Sequence, residues 1–199
     1  MSGAQIILAS KSAIRRQILD GAGLDYRVIT RGVDERAIKD SMLEAGAKPH
    51  DIADALAQAK SVRVSRAEDG LVIGADQIMV MDGTVFDKPD SMKQARERLV
   101  SMRGRSHQLI GAVVISEGGA PVWRHMAKTT LTMRDFSDDF LDAYLETEGE
   151  DILNCVGAYK FEGRGAQLFS HVDGDFFSIL GLSLLPVLDY LRTRGAIAS

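Results

Sequence analysis

Short apolar runs alternate along this chain with stretches of helical periodicity, a pattern that predicts a mixed α/β fold. Ile6-Ile7-Leu8 is an apolar run of the buried-strand type. Ser12 then caps a helix with Ile14, Ile18 and Leu19 on one face, and Gly21 and Gly23 stop it. Tyr26-Arg27-Val28-Ile29-Thr30 returns to strand character. The spacing of Ile52, Leu56, Ala59 and Val62 predicts a helix over residues 48–66. Residues 71–76 read as a strand entering the core, and Asp82-Gly83 marks a hairpin turn soon after it. Ser91 caps a helix whose Met92, Ala95, Leu99 and Met102 form the apolar face, closed by Gly104.

Residues 107–115 and 122–133 read as long strands joined through Gly118-Gly119. Ser137 caps a helix with Phe140, Leu141, Tyr144 and Leu145 inside and Gly149 at its end. Gly157, Gly163, Gly165 and Gly174 punctuate what read as short strands, and a helix over residues 184–193 finishes the chain. With no internal repeat, low-complexity tract or linker, residues 1–199 read as a single domain.

Charge narrows the range of partners. The 28 acidic and 24 basic residues leave a formal net charge of −4, so neither nucleic acid nor an anionic membrane is generally attracted. Any anion must be met by local positive charge. The single cysteine, Cys155, cannot form an internal disulfide, which points to a reducing compartment. The stretch Met1-Ser2-Gly3-Ala4-Gln5-Ile6-Ile7-Leu8 has no basic segment followed by a long apolar one, and no apolar run reaches membrane-spanning length. The expected location is the cytoplasm.

Three segments carry candidate chemistry. Ser10-Lys11-Ser12-Ala13-Ile14-Arg15-Arg16 follows a strand and opens a helix, where backbone N–H groups and the helix dipole favour an anion. Serine hydroxyls and guanidinium forks suit phosphate oxygens. A capped surface helix with solvated arginines fits the same residues, and the residues alone favour that plainer reading. Asp76, in Gly74-Ala75-Asp76-Gln77, ends an otherwise apolar strand, so its carboxylate needs a metal, a base role or an ion pair. Lys88 returns after the turn. A two-residue turn would set it opposite Gln77, whereas a three-residue loop or a bulge would bring it to the face of Asp76. A hairpin salt bridge competes with a catalytic pairing there. Asp34-Glu35 is an exposed acidic pair that could complete, with Asp76, a hard oxygen site for Mg²⁺ or Mn²⁺.

Other signals carry less. There is no phosphate-binding lysine loop of the Walker type and no nucleophilic serine elbow. His50, His107, His125 and His171 lack zinc spacing and read as structural or surface residues. Cys155 reads as a buried small residue and Trp123 as packing.

In order along nearly the whole chain, the segments resemble the Maf family of nucleotide pyrophosphatases. The likeness rests on Leu8-Ala9-Ser10-Lys11-Ser12 with Arg15-Arg16, on Gly32-Val33-Asp34-Glu35, and on Ile73-Gly74-Ala75-Asp76-Gln77 with Lys88-Pro89. It continues through Ala95-Arg96, Gly104-Arg105-Ser106-His107, Gly157-Ala158-Tyr159, Phe161-Glu162-Gly163, Gly174-Asp175-Phe176-Phe177 and Gly181-Leu182. The resemblance implies an elongated, twisted mixed sheet flanked by helices, with two lobes around a cleft, as in related ITP pyrophosphatases. It implies hydrolysis of nucleoside triphosphates to monophosphate and pyrophosphate, which keeps non-standard nucleotides out of nucleic acid. A divalent metal and, in many members, a homodimer are implied too.

Carried over by position, Ser10, Arg15 and Lys88 match phosphate-contacting residues, and Ser12 and Arg16 stand beside them. Glu35 and Asp76 match acidic catalytic positions, with Asp76 as proton acceptor, and both would hold the metal. The chain departs from the common pattern at Ala13, Ile14, Gln77, Asn154-Cys155, Glu162 and Ser183. Several departures resemble the branch that prefers 7-methyl-GTP, which makes Ile14, Gln77 and Glu162 the expected base-specificity positions. The other readings are a pyrophosphatase for dTTP and UTP, one for ITP, and a nucleotide-binding regulator of cell division.

On this reading the basic loop and Lys88 neutralise the triphosphate, and a water deprotonated toward Asp76 attacks the α-phosphorus. Glu162 accepts from guanine N1–H and N2–H₂, and its charge favours the cationic ring of 7-methylguanine.

Overall fold

A computed structural model describes residues 4–198. The first three residues of the N-terminal stretch, Met1-Ser2-Gly3, lie outside the described residues. Among the described residues the fold is mixed α/β around a seven-stranded sheet, in the order β2 (Arg27–Val28), β1 (Ile6–Leu8), β3 (Leu71–Met81), β5 (Ser106–Glu117), β6 (Ala120–Met133) and β7 (Phe169–Asp173), with β4 (Thr84–Phe86) paired to β3. No helix among the described residues is long and apolar enough to cross a membrane. The chain divides into two compact units.

The first unit comprises residues 1–77, 110–127 and 175–199. Strand β1 (Ile6–Leu8) pairs in parallel with β2 (Arg27–Val28) and with the first part of β3 (Leu71–Met81). β1 and the start of β3 are buried on both faces, as parallel strands covered by helices must be. Ile6, Leu8, Ile73 and Ala75 face Ile18 and Leu19 of α1 (Ala13–Gly21) and Leu184, Val187 and Leu191 of α7 (Leu184–Thr193). Ile7, Ala9 and Val72 face Val64 of α3 (Pro49–Ser65).

Two features of this unit differ from the sequence reading. β2 is two exposed residues rather than five. A helix, α2 (Glu35–Glu44), follows it where only an acidic pair was expected. No residue of α2 is fully buried, so it lacks the apolar stripe that periodicity detects. Its start is nonetheless written in the sequence, because Asp34 caps it by accepting from Ala37 N–H at 3.0 Å.

The second unit comprises residues 78–109 and 128–174. The end of β3 pairs antiparallel with β4 (Thr84–Phe86), Met81 opposite Thr84. Asp82 and Gly83 both have positive φ, the conformation of a two-residue hairpin turn that Asp-Gly favours. Helices α4 (Met92–Met102) and α5 (Asp138–Glu148) carry the buried faces expected of them, on Ala95, Leu99 and Met102 and on Leu141 and Tyr144. Strands β5 (Ser106–Glu117) and β6 (Ala120–Met133) begin in one unit and end in the other. The glycine-punctuated segment was expected to form short strands. It forms 3₁₀ turns at Gly149–Asn154 and Arg164–Leu168 and a single strand here, β7 (Phe169–Asp173). Spacing alone does not separate a tight turn from a short strand. A four-residue helix, α6 (Phe176–Ile179), belongs to the first unit.

His107 sits in the second unit's aromatic cluster, with Tyr159 and Phe169 rings 5.6 and 5.9 Å away. It is 1% exposed. Its Nε2 lies 2.7 Å from the Tyr159 hydroxyl, and its Nδ1 has no partner among the described residues. Burial pushes its pKa down from 6.5 to about 4. The unfolded chain therefore takes a proton near pH 6.5 that the folded chain refuses until near pH 4. Stability is complete above that window and falls by about 3 kcal/mol as pH drops through it. Urea unfolding across this range should show a shallower acid limb for His107→Gln than for wild type, and identical limbs would remove His107 as the cause.

Candidate functional site

Strand parity decides where the residues at the end of β3 point. Val72 faces α3, whereas Ile73 and Ala75 face α1 and α7. With a period of two, Gly74 and Asp76 share the α3 face and Gln77 takes the other.

Gly74 allows α3 to approach closely. A Cβ there would lie 2.2 Å from the Ala57 carbonyl oxygen and 2.8 Å from Ser61 N, so only glycine fits. The facing side of α3 is small to match, with Ala53, Ala57 and Ser61 fully buried. This turns the helix from the expected stripe, leaving Ala59 and Val62 half-buried.

Lys60 stands beside this contact. Its Nζ lies 2.5 Å from Asp76 Oδ1 and 2.7 Å from Glu35 Oε2. The Lys60 and Asp76 side chains are each 13% exposed, against 53% for Glu35. Two carboxylates thus converge on one shielded ammonium. Sequence reasoning missed Lys60. Its signal was a lysine four residues from both Leu56 and Val64, within the buried stripe of an otherwise well-patterned helix.

The basic loop is built into the same unit. Ser12 Oγ caps α1 by accepting from Arg15 N–H at 3.4 Å, and Ser10 Oγ accepts from Ser12 N–H at 3.3 Å. Arg15 turns inward. Its Nε donates to the Gly181 carbonyl at 2.8 Å, and its Nη1 to the Ala75 carbonyl at 2.9 Å and to Ser10 Oγ at 3.2 Å. Burial lowers its pKa from the ordinary value, and the charges of Asp76 and Glu35 oppose that shift. Arg15 therefore ties the loop to the acidic end of β3, leaving Nη2 outside these bonds. Arg16 is exposed and Ile14 half-buried. Gln77 Nε2 donates to the Ser178 and Ile179 carbonyls at 2.8 and 3.1 Å. Its two amide hydrogens are committed to α6, so its oxygen is the group left to receive a ligand's donor.

Lys88 and Glu162 belong to the second unit, and both are exposed. The hairpin turn has two residues, with no third residue and no bulge in its ladder. Pairing ends at Met79 opposite Phe86, so Lys88 lies beyond the ladder and strand facing does not set its direction. Cys155 is half-buried, and its pKa rises to about 11, first through burial and then through the charge of Glu162, while Lys160 and Lys88 pull it down. A thiol held protonated is no nucleophile at neutral pH. Glu162, Lys88 and Cys155 thus form one electrostatic neighbourhood.

Among the described residues, no three His, Cys, Asp or Glu side chains gather into a metal-binding group. The donor chemistry of Glu35 and Asp76 still suits a hard cation. Their oxygens already meet at one cation, and Mg²⁺ commonly takes one or two carboxylates and completes its shell with phosphate and water.

The model of the Maf family, described as Maf-like protein, matches residues 5–194. The chain belongs to the Maf family. Its family relatives include proteins named nucleoside triphosphate pyrophosphatase. That of Caulobacter vibrioides is 46% identical over 99% of both chains. That of Gluconobacter oxydans is 48% identical over 98% of this chain and 97% of its own. A Rhizobium meliloti relative, 46% identical over 96% of this chain and 97% of its own, is named 7-methyl-GTP pyrophosphatase.

Proposed function

We propose that this Maf protein is a nucleoside triphosphate pyrophosphatase acting on 7-methyl-GTP. The convergence of Glu35 and Asp76 on Lys60 carries the reading, beside a basic loop that Arg15 ties to the same strand end. The names of the relatives support the reaction class.

A triphosphate resists attack because its negative charge repels a nucleophile. Ser10, Ser12, Arg15 and Arg16 receive the phosphates at the start of α1, where the helix dipole adds to their charge. Asp76 accepts the proton of the water that attacks the α-phosphorus. The bond to the bridging oxygen breaks, and pyrophosphate leaves with its charge balanced by Lys60. In the second unit, Lys88 is the residue that the family pattern marks as phosphate-contacting. A divalent cation held by Glu35 and Asp76, when bound, supplies further positive charge to the phosphate oxygens. Gln77 presents its carbonyl oxygen to the donors of guanine, and Ile14 supplies apolar contact. In the second unit, the Glu162 carboxylate is the acceptor that the family pattern marks for base specificity. A site built on acceptors discriminates against bases lacking those donors by up to roughly 10⁴-fold.

The test is pyrophosphate release from 7-methyl-GTP, GTP, ITP, UTP and dTTP, with Mg²⁺ and with a chelator. Release should require the metal, and kcat/KM should be highest for 7-methyl-GTP. A preference for dTTP or UTP would defeat the roles given to Gln77 and Glu162. Undiminished release in chelator would defeat the metal role of Glu35 and Asp76.

A further inference from the structure

Arg98 lies on α4 next to the buried Leu99 and is itself half-buried. Its Nη1 donates to two peptide carbonyls far apart in sequence, that of Asp87 and, at 2.6 Å, that of Val156. Its guanidinium carbon lies 5.2 Å from the centroid of the Phe86 ring, within cation–π range. Burial lowers its pKa, and the charges of Asp87 and Asp90 oppose that.

These contacts surround Lys88. Asp87 and Phe86 precede it immediately. On its other side Pro89 is buried, and Asp90 N–H donates to Gln94 Oε1 at 2.6 Å. The short loop from β4 to α4 is thus anchored before and after Lys88, while Lys88 itself projects into solvent. Val156 adjoins Cys155, whose thiol feels the charges of Lys88 and Glu162. A single guanidinium nitrogen therefore joins the backbone carrying Lys88 to the backbone of the Cys155 segment.

We propose that Arg98 is a positioning residue for Lys88, holding the Asp87 and Val156 carbonyls together so that the Lys88 ammonium is presented to the phosphates. This rests on the reading of Lys88 as a phosphate-contacting residue. A lysine on a free loop loses backbone and rotamer freedom each time it meets a ligand. The Arg98 bridge removes the backbone part of that cost in advance. The planar guanidinium suits two fixed acceptors, whereas an ammonium at the end of a flexible stem does not hold both in place.

The experiment is a cycle of Arg98→Met, Arg98→Lys and Lys88→Ala with their double mutants, read as kcat/KM for pyrophosphate release from the preferred triphosphate. Arg98→Met should lower kcat/KM roughly 10- to 100-fold, as misplacement of a catalytic group does. Arg98→Lys should fall between it and wild type. In the Lys88→Ala background neither Arg98 change should lower activity further. Full additivity, or wild-type activity in Arg98→Met, overturns the proposal. Should Arg98→Met fail to fold, the Arg98→Lys cycle decides in the same way.

A second measurement does not depend on turnover. In ¹⁵N-labelled protein the Lys88 backbone amide resonance, assigned through Lys88→Ala, should show a lower heteronuclear NOE, and so a more mobile loop, in Arg98→Lys and Arg98→Met than in wild type. An unchanged NOE overturns the proposal even where activity falls. A wild-type protein that releases no pyrophosphate from any nucleotide defeats the functional reading, and the Lys88 resonance still decides the role of Arg98.

Discussion

Asp76→Asn is expected to lower kcat/KM for the preferred triphosphate by roughly 10²- to 10⁴-fold, the range a positioned proton acceptor contributes. The substitution keeps the size of the side chain and removes its charge. Lys60 still has Glu35 to pair with, so the fold should survive and the thermal midpoint should stay near that of wild type. Measured in chelator, affinity for a non-hydrolysable triphosphate analogue should hold or improve, because one negative charge has left the neighbourhood of a polyanion. Pyrophosphate release and analogue binding, measured side by side, separate the two effects. Activity close to wild type would return Asp76 to the status of a structural ion-pair partner.

Lys60→Met should be nearly as damaging, with kcat falling roughly 10²- to 10³-fold, as when one preorganised charge is removed from a transition state. Methionine fills much of the same space, so the loss is electrostatic. Glu35 and Asp76 would then face each other without their shared ammonium, leaving Arg15 as the other cation that acts on both. The same change should lower the Mg²⁺ concentration needed for half-maximal residual activity, since the ammonium no longer competes for the two carboxylates. A Mg²⁺ titration of both proteins reads this directly. An unaltered metal requirement together with unaltered kcat would mean that the bridge is mere surface pairing.

Much of this architecture was legible in local pattern. β1, α1, α4, α5, α7 and the turns at Asp82-Gly83 and Gly118-Gly119 follow from periodicity, capping serines and residues suited to positive φ. Such signals act over a few residues and need no knowledge of what packs where. Where the stabilising contacts are distant or the pattern is polar, local reading fails. Helix α2 has a cap but no apolar stripe, and the stripe of α3 is turned by a glycine on a strand.

The candidate site divides along the same line. Ser10, Arg15, Glu35 and Asp76 were visible as residue types at strand and helix ends, and the segments in order from Leu8-Ala9-Ser10 to Gly181-Leu182 resemble the Maf family. The sequence by itself therefore determined the α/β class, the family and most of the acidic and basic groups. Tertiary structure decided their partners. It placed Lys60 between two carboxylates, turned Arg15 inward to the Ala75 and Gly181 carbonyls, and committed the Gln77 amide hydrogens to α6. The physical reason is range. Capping and periodicity are settled between neighbours in the chain, whereas ion pairing and desolvation depend on which distant residue the packed fold brings within about 3 Å.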